Sequence, residues 1–426
     1  MADDAGYGDF GCYGSASIRT PHTDQLAQNG IRFTDVYAGS TVCAPSRSVL
    51  MTGQHTGHTT VRGNFGKGGV RGLGGGAGRV PLREDDVTVA EILKGAGYAT
   101  GGFGKWGLGE PETSGHPNDQ GFDEWFGYLN QRRAHHYYPT FLWHNRARVE
   151  LPGNHENGSQ TYSHYEIERR ALQFIDEHRD GRFFLYLAYT LPHGDYVIPH
   201  DDPAYQPYKE KPWPQNVRNY AAMVTRFDAA LGKVVARLDE LGLREDTLIL
   251  VTSDNGPPQE FTGPLDSNGP LRGAKRDMSE GGIRVPMVCA WPGHLPAGET
   301  SDLPWYFADV MPTLAEVAGA SDLVPPDTDG VSVLPALRGN PQPELEDRPI
   351  YWEFHERGFD QAARRGRWKA VRDEPHGPVE LYDLAADIGE KTDVAGDHPQ
   401  LVAEFEQFFR EAHEPSASWP TALDGE

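Results

Sequence analysis

Between residues 227 and 256 the chain spells one complete unit of a layered α/β fold. Phe227, Leu231, Val234, Val235 and Leu238 recur at the three-to-four-residue spacing that lines one face of a helix. A compact apolar run follows at 247–252, and Ser253-Asp254-Asn255-Gly256 closes it with a polar loop. The same order recurs at 88–103 and at 165–189, where Phe183-Phe184-Leu185-Tyr186-Leu187-Ala188 reads as a strand buried on both faces. Strands that are apolar on both sides need helices above and below them. The pattern therefore predicts a doubly wound, mostly parallel sheet whose sites lie at the C-terminal ends of its strands.

The pattern breaks near 335–348 in a Pro- and Glu-rich stretch. Short runs bearing Tyr, Trp and Val at 350–355, 367–372 and 379–382 then predict antiparallel hairpins, and a last helix carries Leu401, Phe405, Phe408 and Phe409 on one stripe. The expected division is a catalytic domain over 1–340 and a small C-terminal subdomain, with an antiparallel sheet and terminal helix, over 341–426. The glycine-rich stretch 66–78 reads as a flexible surface loop and matches no phosphate-binding template.

Charge and cysteine content narrow the chemistry. A formal net charge of -23 disfavours nucleic acid and anionic lipid as partners, so a polyanion needs a local basic pocket that outweighs the global field. The longest apolar runs, such as Leu248-Ile249-Leu250-Val251, fall far short of the roughly 20 residues that span a bilayer, and no membrane anchor is expected. Cys12, Cys43 and Cys289 form no disulfide framework, and their spacing fits no zinc pattern. No secretory signal is read, and the chain opens abruptly. The compartment is therefore periplasmic or secreted if a leader preceded Met1, and cytoplasmic otherwise.

Three groups of residues carry the chemistry. Cys43-Ala44-Pro45-Ser46-Arg47, followed by Thr52-Gly53, places a thiol, a turn-shaping proline and a cation within five residues. A lone cysteine is more often a small buried hydrophobe. Asp3-Asp4 and Asp254-Asn255 offer hard oxygen donors without sulfur or imidazole, a set that selects calcium or magnesium over zinc or copper, with flexible carboxylates leaning towards calcium. Lys105 in Gly104-Lys105-Trp106-Gly107-Leu108-Gly109, Lys275 in Arg272-Gly273-Ala274-Lys275, and His193 in Leu191-Pro192-His193 complete the third group.

Together these segments resemble the type I, formylglycine-dependent sulfatases of the alkaline-phosphatase-like superfamily, and the likeness runs from residue 3 to about 395. The resemblance implies a sulfuric ester hydrolase in which a separate formylglycine-generating enzyme oxidises Cys43 to an aldehyde. The hydrated aldehyde offers one hydroxyl to attack sulfur and a second whose deprotonation expels sulfate. It further implies that Asp3, Asp4, Asp254 and Asn255 hold calcium, or magnesium, with the converted Cys43 completing the shell. Arg47, Lys105 and Lys275 then surround the sulfate, and His193 protonates the leaving-group oxygen. The implied substrate is a sulfated carbohydrate or other small sulfate ester.

One departure stands out. The family commonly reads Gly-Lys-Trp-His-Leu-Gly, and Gly107 replaces the histidine that deprotonates the second hydroxyl. His135, within Gln131-Arg132-Arg133-Ala134-His135-His136-Tyr137-Tyr138-Pro139, is the expected substitute. Trp352, His355 and Arg364 are weaker expectations for contact with the alcohol portion of the substrate. The resemblance also implies a buried strand running into Asp3-Asp4, of which Met1 and Ala2 stand in the sequence. Unpaired neighbouring backbone would cost roughly 1–3 kcal/mol per buried group, so restoring about eight preceding residues is expected to raise the melting temperature. Two other readings stay open at this point: a formylglycine-dependent phosphonate or phosphate ester hydrolase, and an inactive relative that binds sulfated carbohydrate.

Overall fold

A computed structural model describes residues 1–72 and 78–425. Ten strands build the main sheet in two halves: β1 (Ile31–Tyr37), β2 (Ala99–Lys105), β3 (Glu124–Tyr128), β4 (Phe141–His144), β5 (Ala147–Glu150), β6 (Phe183–Ala188), β7 (Ile249–Thr252), β8 (Arg284–Ala290), β9 (Glu299–Ser301) and β10 (Trp305–Tyr306). One half runs β10-β1-β8-β7, with β9 also on β1, and the other runs β5-β4-β3-β2-β6. Strands β6, β2 and β3 are mutually parallel, whereas β8 is antiparallel to both β1 and β7.

The first three residues lie between the halves. Ala2 pairs in parallel with Ser253 and Asp3 with Pro192, and the amine of Met1 donates to the Leu187 carbonyl at 2.8 Å. This explains a difference from the sequence reading of β6. Only Tyr186 and Ala188 of that strand are buried, and the rest is half-buried, because Met1–Asp3 cover its free side at the C-terminal end alone.

The sheet's two faces carry separate cores, as alternation along a strand requires. Trp125, Met287 and Cys289 join one apolar cluster, while their neighbours Phe126, Val288 and Ala290 join the other. Helices α1 (Pro21–Gln28), α2 (Cys43–Thr52), α3 (Val89–Gly95), α4 (Ser163–Glu177) and α5 (Gln215–Glu240) are divided between them. Val49 and Met51 of α2 and Val89 and Ile92 of α3 sit in the first cluster, and Phe174 of α4 and Phe227 of α5 in the second. Thr88 starts α3 with a reciprocal cap, accepting from the Glu91 N–H while the Glu91 carboxylate accepts from the Thr88 N–H.

After residue 349 come β11 (Ile350–Phe354), β12 (Asp360–Arg365), β13 (Trp368–Arg372) and β14 (Glu380–Asp383), antiparallel in that order. The sequence reading lacked β12. Asp-Gln-Ala-Ala-Arg-Arg has little β propensity, and pairing on both edges is what makes it a strand. The helix at Pro399–Glu411 packs Phe405 and Phe409 against Tyr351, Ala363 and Leu381 of this sheet. Part of the 66–78 reading falls on 73–77, outside the described residues. Among those described, Val70 and Arg79 pair across its base. No described helix is long and apolar enough to cross a membrane.

Candidate active site

The turns that follow the central strands all empty into one pocket. Asp3 and Asp4 are buried there, Lys105 ends β2, His193 follows β6, and Asp254 and Asn255 follow β7. Asp4 adopts a left-handed backbone, φ 67°, tolerable for aspartate and the kind of strain that collects at functional sites. Cys43 opens α2, so its side chain sits at the positive end of that helix. Every residue of α2 is buried.

The structure brings the sequence-predicted residues together. Cys43 Sγ lies 3.4 Å from Asp3 Oδ1, 4.0 Å from Asp4 Oδ1 and 3.7 Å from Lys275 Nζ. Lys105 Nζ donates to Asp3 Oδ2 at 2.7 Å, and Lys275 Nζ reaches both Asp4 oxygens at 2.8 and 2.7 Å. Arg47 donates Nε and Nη2 to Asp254 Oδ2 at 3.0 and 2.8 Å, and a third N–H to the Lys105 carbonyl. Asn255 Nδ2 donates to Asp4 Oδ1 at 2.8 Å, and His193 Nε2 stands 3.3 Å from Asp4 Oδ2.

Three carboxylates, Asp3, Asp4 and Asp254, thus face three cations, Arg47, Lys105 and Lys275, and the pocket is near neutral as it stands. Burial pulls the Lys105 ammonium down, but the Asp3 carboxylate, with Cys43 and Asp254 adding to it, leaves it above its ordinary value. Burial raises Asp254, and the charge of Asp3 adds to the effect against the pull of Arg47. Burial and Asp3 push the Cys43 thiol up to about 12, so it stays protonated and a poor nucleophile at neutral pH. Burial, then Lys275 and Lys105, hold His193 neutral far below the usual imidazole range.

The donor set fits a hard divalent cation. Donor atoms of Asp3, Asp4, Cys43 and His193 all lie within 4.8 Å of one another. Asn255 Oδ1 is buried with no hydrogen-bond partner in the described structure, a free acceptor beside the carboxylates. A dication would bring the pocket from near neutral to about +2, the surplus an anionic ester calls for. Asp254 is turned onto Arg47 and the Asp4 N–H, whereas His193, expected only as an acid, borders the same cluster.

His135 lies beside His193. Its ring lies 4.3 Å from that of His193, centroid to centroid, and burial with Lys105 and Lys275 lowers its pKa to about 3. Gly107 has φ 86°, and a Cβ there would fall 2.6 Å from Gln131 Cγ. The Gln131 side chain fills the room that a side chain at 107 would take.

Three expectations for the alcohol portion of the substrate are corrected. Trp352 is fully buried and donates Nε1 to the Ala38 carbonyl. Arg364 is spent on Asp35, at 2.6 Å, and on the Tyr37 hydroxyl. His355 Nε2 is held 3.1 Å from the buried Glu353. Trp352 and Arg364 dock the C-terminal sheet onto the main one, while His355 binds within the C-terminal part, and their polar types misled because interface and cleft use the same residues. Arg79 and Gln131, which line a small cleft beside Gly107, were missed. They come from loops without periodic signal, and the one cue was Gly107, whose empty side-chain position had to be filled from elsewhere.

A nucleophile position at a helix N-terminus, oxygen donors and converging cations at the strand ends define a hydrolase of charged esters on an alkaline-phosphatase-like α/β fold. Comparison with known proteins gives the particular family. The sulfatase family model matches residues 1–320, and that of the N-sulphoglucosamine sulphohydrolase C-terminal region matches 273–413. N-acetylgalactosamine-6-sulfatase of Sus scrofa is 34% identical over 391 residues, covering 87% of this chain and 70% of that protein. Arylsulfatase A of Homo sapiens is 33% identical over 455 residues, covering 96% and 85%. The solved structure of Ps i-CgsB in complex with k-i-k-neocarrahexaose superposes with a TM-score of 0.84 at 30% identity, covering 100% of this chain and 94% of that one. The chain belongs to the sulfatase family, and it is a sulfuric ester hydrolase.

Proposed function

We propose that this chain removes sulfate from a sulfated carbohydrate, with Cys43 converted by a maturation enzyme to formylglycine and calcium held by Asp3, Asp4, Asp254 and Asn255. The observation that carries the reading is Cys43 Sγ at 3.4 Å from Asp3 Oδ1 and 3.7 Å from Lys275 Nζ, at the start of α2. A buried, protonated thiol among carboxylates is badly placed to attack an anionic ester, which favours its conversion. The aldehyde hydrate would supply an oxygen nucleophile, and the metal would supply charge to polarise the sulfate.

The chain's own groups then have distinct tasks. Arg47 holds Asp254 in place through two N–H bonds and keeps a cation against the nucleophile position. Lys105 at the end of β2 and Lys275 in the loop between β7 and β8 flank the same point and stabilise charge that develops on the sulfate oxygens. An anionic ester would offset the lysine charges that keep His193 neutral, so that His193, next to Asp4, can carry the proton for the departing alcohol, and neutral His135, tilted against it, can take the proton whose loss releases sulfate. Relatives named for N-acetylgalactosamine 6-sulfate and for aryl sulfate ester cleavage favour a sugar or aryl ester.

Peptide mass spectrometry across residues 43–47 of protein co-expressed with a maturation enzyme tests the nucleophile, with the mass loss of thiol to aldehyde as the expected result. Full sulfate release from material retaining an intact thiol overturns the reading. Magnesium competes for the same oxygens, and activity restored to chelated enzyme preferentially by calcium is the outcome that supports the calcium assignment.

A further inference from the structure

Among the described residues Arg79 makes no ion pair, in a chain of net charge -23. Its Nη1 donates to the Asn64 carbonyl at 2.7 Å and to Gln131 Oε1 at 2.9 Å, both neutral acceptors. Among the described residues its Nε and Nη2 meet no acceptor, and no carboxylate lies within ion-pair distance. Burial pulls its guanidinium below the ordinary value, and nearby Arg132 pulls further against Glu110. Arg132 itself is exposed and likewise makes no described ion pair. A part-buried guanidinium whose described hydrogen bonds go to neutral acceptors, and which feels a second arginine, offers its remaining N–H groups to an anion.

The surroundings suit a sugar. The Arg79 guanidinium stacks 4.5 Å over the ring of Phe65, and Phe65 is 55% exposed, the most open of the large apolar side chains described. An aromatic face at the rim of a polar cleft is a platform for the apolar side of a pyranose. Gln131 Nε2 is buried without a hydrogen-bond partner and lies beside Gly107, two residues beyond Lys105.

The position relative to the reacting centre follows from a chain of contacts. Gln131 ties Arg79 to the Lys105 side of the pocket. On the other side Asn64 donates to Glu356 at 2.5 Å, and Glu356 pairs with Arg276, the neighbour of Lys275, at 3.3 Å. Glu356 pairs with Arg276, yet its charge still reaches Arg79, as do those of Glu110 and Cys43.

We propose that Arg79, with Arg132 beside it and Phe65 beneath it, forms a second anion subsite. It would hold an oxyanion on the sugar chain other than the sulfate being cut, so that the preferred substrate is multiply charged carbohydrate. The proposal rests on the reading of the substrate as a sulfated carbohydrate. A free Nε/Nη2 fork accepts an oxyanion through two parallel bonds, a geometry lysine does not reproduce.

The test uses matched disaccharides of one sugar sequence: monosulfated, disulfated, and monosulfated with a uronate. With the matured enzyme, R79Q should raise KM for the disulfated or uronate-bearing sugar roughly tenfold more than KM for the monosulfated one, with R79K in between. Which of the two charged sugars responds more identifies the oxyanion. Calorimetry on the C43A background provides a readout independent of turnover and of folding defects, since binding of the monosulfated sugar reports an intact pocket. There R79Q should weaken the doubly charged sugar about tenfold, with reduced salt dependence. Equal losses for all three sugars, or no loss for the charged pair, overturn the proposal. An enzyme that releases no sulfate from any of them defeats the functional reading instead, and the calorimetry still judges the subsite.

Discussion

Single side chains in this pocket act through their neighbours, so substitutions are informative mainly where a contact predicts the sign. Gly107 is held at φ 86° against Gln131, and any side chain there is strained and crowded. Gly107→Ala should lower stability by about 1–3 kcal/mol, measured by denaturant unfolding, and Gly107→His should not rescue a His135 variant. His135→Ala tests the release step directly. One equivalent of alcohol should appear in a burst, followed by steady turnover slowed roughly 10²-fold or more. Unchanged steady-state turnover refutes the role of His135. The identities of Cys43, Arg47, Lys105, His193 and Lys275 were legible in the sequence because each stands in a fixed local motif. The partner of Gly107 was not, because Gln131 reaches it only after β2 and β3 pair.

Elements are joined here by buried charge as much as by apolar packing. Glu353 on β11 is fully buried and accepts from His413, beyond the last helix, at 2.6 Å, while His413 Nε2 meets Asp424 at 3.0 Å. Burial opposes charge on both partners. The carboxylates nonetheless hold His413 above the usual imidazole value of 6.5, and His355 with His413 hold Glu353 down at about 2, below its usual 4.5. A raised histidine stabilises below its unfolded value and loses that contribution as pH rises through its folded one. A depressed glutamate stabilises above its unfolded value and loses that as pH falls. The bond is therefore strongest near pH 5–6. His413→Gln should lower the melting temperature most in that range and progressively less towards pH 8, and a pH-independent difference would contradict the account. β12 shows the limit of local reading at this scale. Gln361, Ala362 and Ala363 become strand only because β11 and β13 flank them.

At the scale of the whole molecule, the division at 340 describes chain order more than independence. Trp352 on the Ala38 carbonyl, Arg364 on Asp35 and fully buried Lys369 on Glu280 fasten the second sheet to the first. Truncation after residue 340 should strand Asp35 and Glu280 as buried carboxylates without those partners, at roughly 3–5 kcal/mol for a broken buried pair. The shortened chain should fail to fold, and the full chain should unfold in urea as one transition, whereas two resolved transitions would show separable domains. The sequence by itself determined the layered α/β class, the nucleophile motif and the oxygen-rich donor set, since these depend on periodicity and on spacing within a few residues. Only the tertiary structure decided that residues 3, 43, 105, 193, 254 and 275 meet in one site, that Trp352 and Arg364 serve an interface, and that Arg79 makes no ion pair among the described residues. Those facts arise from contacts across tens to hundreds of residues, where strand order and loop path, not local composition, set which groups are neighbours.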